Sequence, residues 1–186
     1  MARPLRIIPP NSTHHVTARG VRQLPVFFDD VDFAYYVELL GRAAVRFGWL
    51  VPSYCLIPNH VHLLVFTPFG NLSQGMQWLH GTYAQWFNRR HGLKGHVFDG
   101  RFHSKLVEGA EYRLSVQRYI EMNPVWAGLC AHPAQWRWSS HCAIMGLTLA
   151  PAWLDARTTL GYFGVKPEEA RPRYKRFVLE APPRPP

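Results

Sequence analysis

The sequence predicts an α+β fold in which an antiparallel sheet has helices packed on one face and a C-terminal extension follows. The chain has 186 residues, of which 47% are hydrophobic, so it can form one domain with an appendage. Segments with strand alternation and segments with helical spacing follow one another in the order β-α-β-β-α-β-α. The first six of these elements match the split β-α-β, or ferredoxin-like, arrangement.

The first half of the chain contains a strand, a helix and a hairpin. Residues 14–19 alternate as a strand does. Asp30 or Asp32 can cap a helix whose apolar residues keep helical spacing to about Phe47. Residues 49–66 then have the pattern of two strands joined by a short turn.

The second half adds two helices and one strand. Asn71 can cap a long helix that Gly92 ends. Residues 95–107 predict a fourth strand or a strand–loop–strand. A third helix is predicted over residues 111–122, and we expect it to end before Pro124 because the residue preceding a proline disfavours helical backbone.

The most informative motif is His60-Val61-His62, which follows a Pro-Asn turn at the start of an apolar run. Side chains alternate faces along a strand, so both imidazoles point to one face and Val61 points to the other. Two imidazoles on one strand face can bind a metal ion. The spacing alone is equally consistent with two solvated residues of a sheet.

The third predicted helix carries Tyr119 and Asn123, which share a face because they are four residues apart. If this helix packs over the strand, Asn123 offers an amide oxygen to the metal, and a nitrogen and oxygen ligand set suits Mg²⁺ or Mn²⁺. A phenol beside such an ion can attack a phosphodiester and form a covalent ester. By spacing alone, Tyr119 is also consistent with a core residue and Asn123 with a helix end.

The charge of the chain favours a polyanionic partner. Lys and Arg number 21 against 12 Asp and Glu, which gives a net charge of +9; such a balance is typical of nucleic-acid binding, although a basic soluble enzyme also fits. The densest basic stretch can follow a phosphate backbone. The DNA-binding residues predicted there are Arg89, Arg90, Lys94, Arg101, His103 and Lys105.

The cysteines and the apolar runs indicate a cytoplasmic protein. Three cysteines without a Cys-x-x-Cys spacing argue against a disulfide framework or a zinc knuckle. No apolar run approaches 18 residues, so we expect no membrane span and no membrane partner.

The segments IPNHVHLLV, GHVFDGRFHSKLVE and RYIEMNPVWAGL, in this order and spacing, resemble the HUH single-tyrosine transposases. They are most similar to the branch associated with repetitive extragenic palindromes (REP sequences). HHVTARG and WRWSSH extend the resemblance over roughly residues 13–142. It implies a ferredoxin-like fold and a metal-dependent transposase that nicks and rejoins single-stranded DNA at hairpins through a covalent 5′-phosphotyrosine.

The resemblance also implies roles for particular residues. His60 and His62 match the ligands of a divalent ion, Mg²⁺ or Mn²⁺, which polarises the scissile phosphate, and Tyr119 matches the nucleophile. Asn123 stands where the classical insertion-sequence relatives have glutamine, and its amide oxygen can still coordinate. Those relatives act as dimers with the tyrosine helix supplied in trans, whereas the REP-associated branch is compatible with a monomer. A monomer or homodimer bound to single-stranded or hairpin DNA is therefore expected.

The expected domain division combines this resemblance with the composition of the later residues. We expect residues 1–142 to form the transposase domain with a basic N-terminal arm, 143–181 to form a C-terminal extension with a helix near 167–178, and 182–186 to form a disordered proline-rich tail. Two alternative functions remain. One is a domesticated, non-catalytic protein that binds hairpin DNA or RNA, and the other is a metal hydrolase in which water replaces the tyrosine.

Overall fold

The computed structural model describes residues 7–180, so the predicted basic arm and proline-rich tail lie outside the described residues. Four antiparallel strands form one sheet in the order β2-β3-β1-β4. The strands are β1 (Ser12–Arg19), β2 (Leu50–Ile57), β3 (His60–Thr67) and β4 (His103–Leu106). The predicted α+β, ferredoxin-like fold is confirmed.

The helices are α1 (Asp30–Phe47), α2 (Leu72–His91), α3 (Ala110–Trp126), α4 (His141–Ile144), α5 (Ala156–Gly161) and α6 (Pro167–Leu179). Asp29 caps α1, and the prediction of Asp30 or Asp32 was wrong. The carboxylate of Asp29 accepts the backbone N–H groups of Val31 and Asp32 at 3.0 and 3.2 Å. Asp32 is instead buried and accepts the N–H of Phe28 at 2.7 Å, so it closes the loop before the helix.

The two helices of the split unit pack on one face of the sheet. Val61, Leu63 and Val65 of β3 point to this face, where they join the buried apolar residues of α1 and α2 in one hydrophobic cluster. Each large aliphatic side chain buried in this way contributes about 1.5–3 kcal/mol. Alternation along β3 therefore leaves His60 and His62 on the opposite face.

The third helix lies on that opposite face. Val116 and Ile120 of α3 pack against Cys55, Ile57 and Leu64, which belong to β2 and β3. Leu64 lies two residues after His62, so it shares the face of the histidines. The third helix therefore packs over the strand that carries the histidines, as the proposed role of Asn123 requires.

The end of α3 differs from the prediction. The helix includes Pro124 and runs to Trp126, whereas we expected it to end before the proline. Pro124 has no N–H to bond the carbonyl of Ile120. Asn123 and Pro124 are nevertheless buried, and this packing outweighs the local preference of the backbone. Asn123 therefore lies inside the helix and is not its end.

The fourth strand is shorter than the predicted 95–107. Only His103–Leu106 pairs with β1, and Phe98 adds a single bridge to Gly20. Gly95 and Gly100 have φ angles of 96° and 79°, which turn the chain and interrupt the extended backbone.

The segment after residue 142 packs into the main hydrophobic cluster. Ile144, Leu160 and Tyr174 are buried there with residues of the sheet and of α1 and α2. Just before it, residues 138–140 run along β2: the Leu56 N–H donates to the Trp138 carbonyl at 2.9 Å, and the Ser140 N–H donates to the Tyr54 carbonyl at 3.0 Å. Within residues 7–180, no helix has the length and apolar character needed to cross a membrane.

Candidate metal and nucleophile site

The pairing of the strands gathers polar side chains on the face that α3 covers. In the register of β1 and β3, Thr17 is opposite His62 and Arg19 is opposite His60. In β4, His103 is opposite Thr17. Residues directly opposite one another in antiparallel strands share a face, so the three strands form one polar strip. The polar strip consists of His15, Thr17, Arg19, His60, His62, His103 and Lys105.

His62 lies at the centre of the polar strip and contacts two partners. Its Nε2 is 3.2 Å from Nδ2 of Asn123, and its Nδ1 is 3.2 Å from Nε2 of His15. A neutral imidazole has one donor and one acceptor nitrogen. When His62 is neutral and the Asn123 amide nitrogen faces its Nε2, Nε2 accepts from Asn123, and Nδ1 carries the proton and donates to His15. The lone pair of His62 is then on Nε2, the atom that faces α3.

His60 has the same arrangement of its nitrogens. Its Nδ1 is 2.8 Å from Oδ1 of Asn59, and a carbonyl oxygen only accepts, so this Nδ1 is protonated and the lone pair is on Nε2. The two rings are 4.8 Å apart between centroids. A hydrogen bond at one ring nitrogen that fixes the tautomer is characteristic of histidines that bind metals through the other.

The residues that the sequence singled out on α3 are next to these histidines. The ring of Tyr119 is 5.4 Å from that of His62 and 5.8 Å from that of His15, in edge-on geometry. Asn123, one turn further along, is buried and reaches His62 directly. The structure thus brings the four predicted site residues together.

The donor set fits a divalent ion with open coordination positions. The set comprises one imidazole nitrogen each from His60 and His62, and the side-chain amide of Asn123. A half-turn of this amide about its Cβ–Cγ bond would present Oδ1 in place of Nδ2. Over residues 7–180 no group of three or more His, Cys, Asp or Glu side chains is arranged to hold a metal. An ion held by His60, His62 and Asn123 would therefore keep positions for water or phosphate oxygens, as Mg²⁺ and Mn²⁺ sites do.

His15 is a site residue that the sequence analysis missed. Burial, together with the charge of Lys105, lowers the pKa of His15 to about 4, so its ring is neutral at pH 7 and can accept the proton of His62. The sequence predicts no site role for it, because its place beside His62 depends on the register between β1 and β3. Its positions in an alternating strand and in the segment HHVTARG were the signals available.

The predicted DNA-binding residues fall into two groups. His103 and Lys105 belong to the polar strip, and Arg101 lines a depression of about 360 Å³ beside it, together with Thr17 and Arg19. This group adjoins the histidines.

The second group, Arg89, Arg90 and Lys94, lies at the C-terminal end of α2. Arg90 pairs there with two carboxylates: Nη2 is 2.7 Å from Oδ2 of Asp29 and Nη1 is 2.5 Å from Oδ1 of Asp32. It therefore ties α2 to the start of α1, and its charge is balanced within the fold.

Comparison with known proteins gives a family match and several similar solved structures, two of which follow. The family model described as "Transposase IS200 like" matches residues 10–123, a range that includes His60, His62, Tyr119 and Asn123. A structure of a REP-associated tyrosine transposase bound to a REP hairpin is 18% identical, with 81% of this chain and 89% of that chain covered and a TM-score of 0.65. A putative transposase from Deinococcus radiodurans R1 is 19% identical over 64% of this chain and 96% of that chain, with a TM-score of 0.45. No curated protein matches the chain.

Proposed function

Because the chain belongs to the family of IS200-like transposases, we propose that it nicks and rejoins single-stranded DNA through a covalent 5′-phosphotyrosine at Tyr119. The observation that carries the proposal is the contact of Tyr119 and Asn123 of α3 with His62 of β3. A phenol next to a set of metal-binding donors suits phosphoryl transfer.

In this proposal His60, His62 and Asn123 hold Mg²⁺ or Mn²⁺. When bound, such an ion polarises the scissile phosphate and neutralises charge that develops on its oxygens. Asn59 and His15 keep the two imidazoles in the tautomer that presents Nε2, through the bonds of 2.8 and 3.2 Å. They thereby fix the direction in which each ring can bind.

The chemical step forms one bond and breaks another. The phenolic oxygen of Tyr119 loses its proton and attacks phosphorus, and the bond from phosphorus to the 3′ oxygen breaks. The leaving oxygen takes the electron pair and a proton and becomes a 3′-OH. Attack of a 3′-OH on the phosphotyrosine reverses the step, so rejoining needs no external energy source.

The polar strip is proposed to guide the DNA to this site. Arg101, His103 and Lys105 lie next to the histidines and can contact the backbone of an unpaired strand. Arg89, Arg90 and Lys94 would serve a more distant part of the DNA, with Arg90 the weakest candidate because two carboxylates balance its charge. Hairpin DNA is the proposed substrate because the similar REP-associated transposase is bound to a REP hairpin.

A labelled oligonucleotide with a hairpin and single-stranded flanks tests the transposase activity. The protein is incubated with it and Mn²⁺, and a denaturing gel separates free DNA from covalent adduct. We expect an adduct with wild type and with Tyr162→Phe, an exposed tyrosine outside the site, and none with Tyr119→Phe. Cleavage without an adduct would indicate a hydrolase, and binding without cleavage would indicate a non-catalytic binding protein. An adduct with Tyr119→Phe would refute the assignment of the nucleophile.

One chain is proposed to be sufficient for cleavage, because Tyr119 contacts His62 of the same chain. Mixing Tyr119→Phe with His62→Ala tests this directly. If sites are built within one chain, the mixture stays inactive. If tyrosine helices are exchanged between the chains of a dimer, the mixture regains adduct formation, and the proposal of a self-sufficient chain fails.

A further inference from the structure

The helix that carries Tyr119 also carries a fully buried carboxylate, Glu121. Its Oε1 accepts hydrogen bonds from Oγ of Ser53 at 2.8 Å and from Oγ of Ser140 at 2.6 Å. Its Oε2 lies 2.9 Å from Nδ1 of His141. A buried carboxylate without partners is strongly unfavourable, so each of these contacts constrains where the side chain can lie.

Glu121 and Tyr119 lie on opposite flanks of α3. At about 100° per residue, each is about 100° from Ile120, in opposite directions. Ile120 and Val116 form the apolar stripe that rests on the sheet. Asn123 is on the flank of Tyr119, so one flank faces the histidines and the other faces the buried polar cluster.

The second flank is also bonded through Gln117, one turn before Glu121. Its Nε2 donates to Oγ1 of Thr159 at 2.9 Å and lies 3.3 Å from the hydroxyl of Tyr174. Ser140, His141, Thr159 and Tyr174 all lie after residue 123, where the family match ends. The C-terminal part of the chain is therefore hydrogen-bonded to the helix that carries the proposed nucleophile.

We infer that Glu121 is a positioning residue for Tyr119: its bonds to Ser53, Ser140 and His141 fix the rotation of α3 about its axis and so direct Tyr119 towards His62. This inference rests on the proposed function. With side chains reaching about 5–6 Å from the axis of a helix, a rotation of about 15° moves their ends by about 1.5 Å. A displacement of about 1 Å can slow an oriented reaction by about 100-fold.

Single-turnover kinetics distinguishes positioning from simple stabilisation. With saturating hairpin and Mn²⁺, we expect Glu121→Ala to form adduct about 100-fold more slowly, at nearly full amplitude and with unchanged affinity for DNA. Glu121→Gln keeps an oxygen for the two serines, and we expect it to recover the rate to within about tenfold of wild type. Leu39→Ala, which removes a buried core side chain of α1, is the control for loss of stability alone. It should lower the amount of adduct formed without changing the rate at which adduct forms.

An NMR measurement tests the inference without relying on cleavage. In wild type we expect cross-relaxation between ring protons of Tyr119 and those of His62 and His15, whose ring centroids are 5.4 and 5.8 Å away. These signals should weaken in Glu121→Ala, and in the milder Ser140→Ala if the first variant does not fold. The inference would be overturned if Glu121→Ala kept the wild-type contacts between the ring of Tyr119 and those of His62 and His15. It would also be overturned if this variant formed less adduct but at the wild-type rate. A wild-type protein that forms no adduct would refute the proposed transposase activity, while the ring contacts would still decide the role of Glu121.

Discussion

Replacing His15 with phenylalanine should weaken metal binding without removing a ligand. His15→Phe keeps an aromatic ring where His15 now stacks on His62, at 5.4 Å between centroids, and meets Tyr119 edge-on. It removes Nε2, the acceptor of the proton on Nδ1 of His62. The substitution therefore separates the hydrogen bond from the packing.

The size of the effect follows from the two tautomers of His62. Without Nε2 of His15, His62 loses the hydrogen bond that favours a proton on Nδ1, and the proton can move to Nε2, where the Asn123 side chain can accept it after a half-turn. The tautomer with its proton on Nε2 has no lone pair towards the metal. Returning the proton to Nδ1 then forgoes the bond to His15, which is worth about 0.5–1.5 kcal/mol. Loss of such an orienting partner typically weakens metal binding by about 10–100-fold, or about 1.4–2.7 kcal/mol.

Calorimetric titration of the protein with Mn²⁺ at pH 7.5, in the absence of DNA, measures this change. His96→Phe removes an exposed histidine that is not part of the polar strip and controls for weak binding of Mn²⁺ to surface imidazoles. We expect the control to keep the wild-type Kd and His15→Phe to raise it at least tenfold. A Kd for His15→Phe within twofold of wild type would refute the reasoning about tautomers.

Three further predictions concern stability, thiols and salt. Burial lowers the pKa of His80 to about 3, so below pH 6.5 the unfolded chain takes up a proton that the folded one does not. Stability should therefore fall as pH drops from 6.5 towards 3, by up to about 1.4 kcal/mol per unit for this group. The free energy of unfolding in urea should depend less steeply on pH for His80→Gln than for wild type. Equal pH dependences for the two proteins would contradict the prediction. Burial raises the pKa of Cys55 well above its usual value and, with the charge of Glu121, raises that of the Cys142 thiol. Both thiols should react with a disulfide reagent at pH 7.5 far more slowly in the folded protein than in urea, and similar rates would count against this. Lys105→Ala should reduce the slope of log affinity against log salt for single-stranded DNA by about 0.7, whereas the exposed Lys166→Ala should leave it unchanged. Equal slopes for the two variants would remove Lys105 from the DNA contacts.

Local periodicity predicts most of the fold and part of the site. His60 and His62 share a face because they are two residues apart on a strand, and Tyr119 and Asn123 share one because they are four apart on a helix. These relations need only the neighbouring residues. The antiparallel sheet followed from the order of such segments, and the structure confirms it.

Relations between distant residues could not be predicted in this way. His15 and His62 are 47 residues apart, and Ser53 and Glu121 are 68 apart. Their contacts depend on strand register and on the rotation of a helix, which one sequence does not specify. For the same reason Arg90 looked like one member of a basic cluster, although Asp29, which precedes it by 61 residues, pairs with it.

The run of residues 138–140 along β2 has a further consequence for the behaviour of the molecule. β2 is the outermost strand on its side of the sheet. Bare outer strands expose unpaired N–H and C=O groups that can recruit strands from other molecules and start aggregation. Here the Leu56 N–H donates to the Trp138 carbonyl, and the Tyr54 carbonyl accepts the Ser140 N–H. A chain shortened to residues 10–123, the region that matches the family model, would expose this edge. Residues 138–140 therefore protect the outer strand from pairing with strands of other molecules.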